Sequence, residues 1–410
     1  MNILVWKGHH SKEIFELTKR ALSSDNVLLI LCPPRIDDIS DYYEYLPSGQ
    51  VEFFGEFFGK ESFYNDSKTT FKETVSIGLF SSGSADIFPK LILYTKGNLK
   101  SSNDGIMSFF SETDFKKIVC YPQPYHIFGL SLGYALAIDR GVELLFDVGV
   151  YSKKSHKLWL ETIENCGAET LTLGTPTHMK DLLSYLDSEN LTPCASLTSI
   201  FGGESVSVNL WERARDILKI QAPSIGYGCS EASPGVTHLP PGVHPGENGN
   251  LGAPLPNVKL TCEKDGLRVA GENICHAIIQ NNGIIFPGGE YLMSDIIKKK
   301  DDGNLQYISR NNLVLNRGGE KFSLEMIEAY LLDELSLNVV SVCVNDERLG
   351  EDLGGLIESP DQESIQNILF KLKEKFNRNF NSHNFKIVNS LPKNSNAKVD
   401  RKSALEIVKG

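Results

Sequence analysis

The chain has 410 residues, of which 41% are hydrophobic and 23% charged, a composition typical of water-soluble globular proteins. Its net charge of −11 argues against a general nucleic-acid-binding or anionic-membrane-binding surface. The length predicts more than one domain.

Cysteine usage and hydropathy predict a cytoplasmic protein. The eight cysteines are scattered, without a Cys-x-x-Cys pair, and no histidine cluster has metal-ligand spacing. This favours a reduced interior over a disulfide framework or a zinc site. The longest apolar stretch, residues 129–138, is far short of the ~20 residues that a membrane span needs. The first residues have no basic region that leads into a long apolar run, so we do not expect an export signal.

The region up to about Leu305 has the pattern of an α/β domain with buried sheets. Residues 27–32 form a continuous apolar run, and residues 207–219 carry apolar side chains at helical spacing. Residues 96–105 are predicted to form a solvated loop. Residues 292–297 and 305–308 read as two strands joined by a polar turn.

After Arg310 the pattern changes to that of a small α+β domain. Ser323 is expected to cap a helix, which is followed by a strand at residues 339–344. An amphipathic helix ending near Phe376 and a strand at Phe385–Val388 complete the unit. A compact C-terminal domain of about 100 residues follows from this pattern.

Residues 81–90 (Ser-Ser-Gly-Ser-Ala-Asp-Ile-Phe-Pro-Lys) lie between two apolar strands, at 75–80 and 91–94. Gly83 allows backbone N–H groups to approach a phosphate, while Ser81, Ser82 and Ser84 add hydroxyl donors. Lys90 would supply a positive charge. On these residues alone, an ordinary hairpin loop is an equally good interpretation.

The order of ten short segments resembles the AMP-forming adenylating enzymes, the superfamily of acyl- and aryl-CoA synthetases, peptide-synthetase adenylation domains and luciferases. The resemblance extends from about Ser81 to the end of the chain. The segments are 81–90, 124–129 (Pro-Tyr-His-Ile-Phe-Gly), 174–177 (Gly-Thr-Pro-Thr), 202–204 (Gly-Gly-Glu), 226–231 (Gly-Tyr-Gly-Cys-Ser-Glu), 249–256 (Gly-Asn-Leu-Gly-Ala-Pro-Leu-Pro), 294–295 (Ser-Asp), 309–310 (Ser-Arg), 317–321 (Arg-Gly-Gly-Glu-Lys) and 391–401 (Leu-Pro-Lys-Asn-Ser-Asn-Ala-Lys-Val-Asp-Arg).

The resemblance assigns catalytic roles to three residues. Lys398 would contact both the carboxylate substrate and the α-phosphate of ATP, and Glu231 would hold Mg²⁺. His126 would border the carboxylate pocket as a gate, although a packed core histidine is an equally good interpretation. The nucleotide-binding residues implied by the resemblance are Ser81, Ser82, Gly83, Ser84, Lys90, Gly203, Glu204, Tyr227, Gly228, Ser230, Asp295 and Arg310. Asp295 and Arg310 could each instead be an ion-pair residue.

Further roles follow from the same resemblance. The acid pocket would be lined by His126, Phe201, Gly202 and Gly228, of which Phe201 is equally plausible as core. Asn312 falls where relatives have an inter-domain hinge, which would let a mobile C-terminal domain change position between half-reactions.

The resemblance implies an α/β fold with three segments. Residues 1–309 would form a large N-terminal adenylate-forming domain of several subdomains, shortened at its N-terminus as in short o-succinylbenzoate-CoA ligases. Residues 310–316 would be the hinge, and residues 317–410 a small α+β domain.

The implied function is an ATP-dependent acid-thiol ligase that uses Mg²⁺ and coenzyme A on an aromatic or compact carboxylic acid. Two alternatives are loading of an acyl or aryl carrier protein's phosphopantetheine, and a non-catalytic nucleotide-binding relative. The non-catalytic alternative is supported by differences between residues 81–90 and the family's phosphate loop. This segment is one residue longer than the family pattern and has Ala85 and Asp86 in place of Thr-Gly.

Overall fold

A computed structural model describes residues 1–57, 59–81, 89–280, 283–310, 313–318, 320–359, 364–392 and 399–410, apart from the side chains of Lys321 and Ser364. These residues form two compact units. The first comprises Met1–Thr261, Arg268–Met293 and Lys299–Gln306, and the second Cys262–Leu267, Ser294–Lys298 and Tyr307–Gly410. The domain boundaries given above stay predictions.

The α-helices of the described residues are α1 Lys12–Ser23, α2 Lys96–Met107, α3 Leu136–Arg140, α4 Lys153–Cys166, α5 Pro176–Ser188, α6 Val208–Asp216, α7 Leu324–Leu335, α8 Ser364–Phe376 and α9 Arg401–Lys409. The strands are β1 Asn2–Lys7, β2 Val27–Cys32, β3 Gly49–Gly55, β4 Phe63–Asn65, β5 Ile77–Phe80, β6 Leu91–Tyr94, β7 Lys117–Cys120, β8 Glu143–Leu145, β9 Thr170–Gly174, β10 Ser196–Phe201, β11 Ile220–Gly228, β12 Gly235–Leu239, β13 Ala253–Pro254, β14 Lys259–Glu263, β15 Gly266–Ala270, β16 Ala277–Gln280, β17 Gly283–Ile285, β18 Glu290–Met293, β19 Asp295–Lys299, β20 Leu305–Arg310, β21 Val314–Arg317, β22 Glu320–Ser323, β23 Asn338–Asp346, β24 Gly350–Glu358 and β25 Phe385–Val388.

The first unit is built around two sheets. One has eight strands in the order β17-β16-β6-β5-β2-β1-β3-β4, and the other seven in the order β13-β12-β11-β10-β9-β7-β8. Both faces of the eight-stranded sheet are buried: Leu4 and Trp6 belong to one apolar cluster, Ile3 and Val5 to another. Burial on both faces also explains why residues 27–32, which form β2, are a continuous apolar run rather than an alternating one.

The second unit contains a five-stranded sheet packed against helices. Strand β24 pairs antiparallel with β23 and parallel with β25, and β21 and β22 extend the sheet. Ser323 caps α7 by accepting a hydrogen bond from the N–H of Met326, as the sequence predicts. The mixed α/β class and the small C-terminal α+β domain are confirmed.

Residues 96–105 are not a loop, so that prediction is wrong. They form most of helix α2, whose first turn is closed by a capping box between Thr95 and Asn98. The small polar side chains that suggested solvent are buried and hydrogen-bonded, as Ser102 and Asn103 show. The strand expected at 292–297 is also interrupted, because Ser294 lies in a bend between β18 and β19.

No helix in the described part of the chain is both long and apolar enough to cross a membrane.

Candidate adenylate site

Strands β5 and β6 bring the two ends of segment 81–90 together. They pair antiparallel, with Phe80 opposite Leu91, and the N–H of Ser81 donates to the carbonyl of Lys90 at 2.8 Å. Ser81 and Lys90 therefore lie side by side at the end of a buried hairpin. Ser82, Gly83 and Ser84, which the sequence predicts to bind phosphate, lie outside the described residues.

Two residues that the sequence interpretation missed hold these ends. Arg35 donates from Nη2 to the carbonyl of Ser81 at 3.0 Å, and the Tyr42 hydroxyl donates to the carbonyl of Pro89 at 2.6 Å. Burial lowers the pKa of Arg35 from its usual value. Neither belongs to a motif, and both lie upstream of the segment where the motif resemblance begins, so no local signal pointed to them.

Glu231 lies next to Lys90, although 141 positions separate them in the sequence. The Glu231 side chain is 11% exposed, and its Oε1 lies 3.7 Å from Lys90 Nζ. The same oxygen accepts a hydrogen bond of 2.9 Å from the hydroxyl of Tyr291, whose pKa is raised mainly by burial. Tyr291 was also missed, although it stands only three residues before the Ser294-Asp295 motif.

Strand β11 and the turn after it carry Tyr227, Gly228, Ser230 and Glu231. A Cβ on Gly228 would lie 1.6 Å from the carbonyl oxygen of Pro234, so only glycine fits this close approach. Tyr227 and Ser230 are half-buried at the same end of the strand. The turn therefore places an aromatic ring, a hydroxyl and a carboxylate within five consecutive residues.

The Gly-Gly-Glu segment follows β10. Gly202 is buried and approaches the carbonyl of Gly226 so closely that a Cβ would lie 2.9 Å from it. Gly203 has a φ of +82°, and exposed Glu204 accepts a 2.9 Å hydrogen bond from Thr177. Phe201 is fully buried in the core cluster with Val206 and Leu210, among others. Its assignment to the acid pocket stays a prediction.

His126 is exposed, and its ring lies 4.8 Å from that of Tyr125. It is close enough to His178 to contribute to that residue's low pKa. Burial, reinforced by His156 and His126, lowers the pKa of His178 to about 4. The sequence interpretation missed His178, which lies directly after the Gly-Thr-Pro-Thr segment.

The second unit holds two other predicted nucleotide ligands. The carboxylate of Asp295, with 11% of its side chain exposed, lies 3.3 Å from Arg310 Nε. Asp295 and Arg310 therefore form an ion pair, in which the charge of each partly offsets that of the other. Lys398 and Asn312, the predicted catalytic lysine and hinge, lie outside the described residues.

The residues present fit a magnesium ion that arrives with a nucleotide. Within the described ranges there is no group of three or more His, Cys, Asp or Glu side chains able to hold a metal alone. Mg²⁺ bound with ATP usually needs only one or two carboxylates, because phosphate oxygens and water complete its shell. Glu231, beside Lys90 and Ser230, offers such a carboxylate.

The sequence model of the AMP-binding enzyme family matches residues 52–278, more than half of the chain. The chain belongs to this family. The match begins upstream of Ser81, so the likeness extends further toward the N-terminus than the motifs indicated.

Two solved structures have a similar fold. The o-succinylbenzoate-CoA synthetase MenE of Bacillus subtilis, in complex with ATP and magnesium ion, aligns with a TM-score of 0.76 at 17% identity, covering 98% of this chain and 89% of that protein. ATP-bound MatB of Rhodopseudomonas palustris also gives 0.76, at 16% identity, covering 100% and 89%.

Among curated proteins, the acyl-CoA ligase sidI of Aspergillus fumigatus is 30% identical over 156 residues, which are 38% of this chain and 25% of that protein. This chain therefore matches about a quarter of the length of that relative.

Proposed function

We propose that this AMP-binding family member activates a carboxylic acid with ATP and then transfers it to a thiol. In the first step a carboxylate oxygen bonds to the α-phosphorus and pyrophosphate leaves, giving acyl-AMP. In the second a thiol sulfur bonds to the acyl carbon and AMP leaves. The observation that carries the proposal is the meeting of Lys90 and Glu231, since one suits phosphate and the other a phosphate-bound cation.

The carboxylate and the phosphates of ATP are both negatively charged and repel each other. The residues of this chain would therefore act mainly by neutralising charge and by positioning the two reactants. Lys90 would hold a phosphate oxygen, and Tyr227 would stack on adenine. Asp295 would accept the ribose hydroxyls and Arg310 would add a donor. Bound Mg²⁺ would neutralise phosphate charge, with Glu231 as its protein ligand. The remaining nucleotide and pocket residues keep the roles that the resemblance implies.

The acceptor thiol and the acid are part of the proposal. We favour coenzyme A and an aromatic or compact acid, because the motifs are similar to those of aryl-acid ligases and several relatives are named CoA ligases. Loading of a carrier protein is a second candidate, favoured by a 26% identical match over 124 residues to an L-proline–[L-prolyl-carrier protein] ligase of Pseudomonas fluorescens. Eight free thiols are compatible with a cytoplasmic setting.

Acid-dependent exchange of pyrophosphate into ATP tests the first step. We expect exchange with at least one member of a panel of aromatic and short carboxylic acids. Glu231→Gln should lower it about 10²–10³-fold, by analogy with other lost electrostatic contacts. Glu212→Gln, which removes a half-exposed carboxylate paired with His244, should leave it unchanged.

Absence of exchange with every acid, in a protein that still binds ATP, would instead support the non-catalytic nucleotide-binding alternative. Where exchange occurs, parallel assays with coenzyme A and with a phosphopantetheinyl carrier protein identify the acceptor.

A further inference from the structure

The turn that carries Glu231 is fixed by hydrogen bonds from strand β6 and from the loop before β16. The Tyr94 hydroxyl, at the end of β6, donates to the carbonyl of Ser230 at 2.8 Å. The N–H of Cys275 donates to the carbonyl of Glu231, also at 2.8 Å. These bonds fix the backbone but leave the carboxylate free to rotate about its side-chain torsions. Orientation of the carboxylate therefore depends on what its oxygens contact.

Tyr291 supplies that contact. Its ring packs against the apolar cluster that contains Leu29 and Ile92, so the hydroxyl is held on a rigid support. The hydroxyl donates to Oε1 of Glu231 at 2.9 Å. A neutral phenol orients the carboxylate without cancelling its negative charge, which the carboxylate needs in order to attract a cation.

Lys90 is the competing partner. Its Nζ lies 3.7 Å from the same Oε1, longer than the 2.7–2.9 Å of a direct charge-assisted hydrogen bond. Without the Tyr291 hydroxyl, rotation of Glu231 toward Lys90 would close this gap. In such a pair the charges of Lys90 and Glu231 would neutralise each other. The carboxylate would then not be available to a metal ion, nor the lysine to a phosphate.

We propose that Tyr291 is a positioning residue that holds Glu231 away from a closed ion pair with Lys90, so that the carboxylate stays available to the divalent cation of a bound metal–nucleotide complex. This inference rests on the proposed function for the identity of the ligand. Because the inference concerns metal affinity rather than turnover, it can be tested separately from the proposed ligase activity.

Binding of Mn²⁺ in the presence of ATP, followed by electron paramagnetic resonance, tests the inference without any acid substrate. Tyr291→Phe should weaken Mn²⁺ affinity about 10-fold or more, the usual effect of losing a residue that orients a metal ligand. Glu231→Gln should weaken it further, and the double variant should match Glu231→Gln because the tyrosine acts only through the carboxylate.

Tyr151→Phe is the matched control, since it also removes a phenol hydroxyl bonded to a carboxylate, that of Asp181 on α5 at 3.0 Å. It should lower the thermal midpoint while changing Mn²⁺ affinity less than about two-fold. Wild-type affinity in a folded Tyr291→Phe protein would overturn the inference, as would additive losses in the double variant. Normal Mn²⁺–ATP binding without acid-dependent exchange would instead count against the proposed ligase activity and leave the role of Tyr291 standing.

Discussion

His178 shows how one buried residue makes stability depend on pH. Its Nδ1 accepts a 3.1 Å hydrogen bond from the N–H of Thr175, which closes the first turn of α5. Burial lowers its pKa to about 4, well below the usual value of 6.5. Between these two values the unfolded chain binds a proton that the folded chain does not. Stability must therefore fall as the pH falls from 6.5 toward 4.

His178→Asn tests this sign. Asparagine at the same helical position closes the capping box of α2, so the substitution should retain the cap while removing the titrating ring. The loss of unfolding free energy between pH 6.5 and 4 should shrink by up to about 3 kcal/mol. Denaturant unfolding at several pH values measures it. An acid sensitivity in His178→Asn equal to that of the wild-type protein would contradict the assignment.

Two other histidines add to the acid sensitivity with the same sign. Burial lowers the pKa of His10 and of His238 to about 3. The ring of His238 contacts those of Phe109 and Phe110, with centroid distances of 5.4 and 5.3 Å. Some acid sensitivity should therefore remain in His178→Asn.

At the scale of single elements, helix α2 buries polar side chains as well as apolar ones. The hydroxyl of Ser131 donates to Oδ1 of Asn103 at 2.8 Å, and Asn103 Nδ2 donates back to the carbonyl of Ser131 at 3.0 Å. Ser102 accepts from the N–H of Gly235 at 3.0 Å. The side chains of Ser102, Asn103 and Ser131 are all buried. Loss of one hydrogen-bond partner therefore leaves a polar group that water cannot reach.

Asn103→Ala should therefore destabilise the fold by about 2–3 kcal/mol, because it leaves the hydroxyl and carbonyl of Ser131 without this partner. Urea unfolding measures the change. Lys100→Ala in the same helix removes an exposed side chain that pairs with Asp104, and should cost no more than about 0.5 kcal/mol. Equal effects of the two substitutions would show that the buried network contributes little.

The same elements show what could be predicted from the sequence. Strands β5 and β6 are short continuous apolar runs, and α7 begins at a serine cap, so local patterns identified all three. Helix α2 was not predicted, because the hydrogen-bond partners of its buried polar residues are distant in the sequence. Asn103 bonds Ser131, 28 positions away, and Ser102 bonds Gly235, 133 positions away. Burial of a polar side chain depends on partners that a local window does not contain.

The candidate site shows the same limit. Motif order identified Lys90, Glu231 and Asp295, because their spacing resembles a known family. Arg35, Tyr42 and Tyr291 stand outside those motifs and act through backbone or carboxylate groups 46, 47 and 60 positions away. Residues that orient others could be found only after the strands had been assembled.

At the scale of the whole molecule, the predicted catalytic residues come from both compact units. Glu231 and His126 belong to the first unit, whereas the chain segment that carries Lys398 belongs to the second. The proposed function has two half-reactions with different needs. Adenylation brings a carboxylate against a phosphate, and so requires an added positive charge. Thiol attack on acyl-AMP takes place at a neutral acyl carbon, where that need is smaller.

Lys398→Ala should therefore separate the two half-reactions. Acid-dependent pyrophosphate exchange should fall about 10²–10³-fold, because the substitution removes the cation that the proposed function assigns to offset charge in the transition state. Thioester formation from supplied acyl-AMP should change only a few-fold. Lys402→Ala, an exposed lysine on α9 four residues later, should leave both rates unchanged. Exchange at the wild-type rate in a folded Lys398→Ala protein would remove this residue from the mechanism. Equal loss in both half-reactions would assign it a structural role instead, since only the first step brings two anions together.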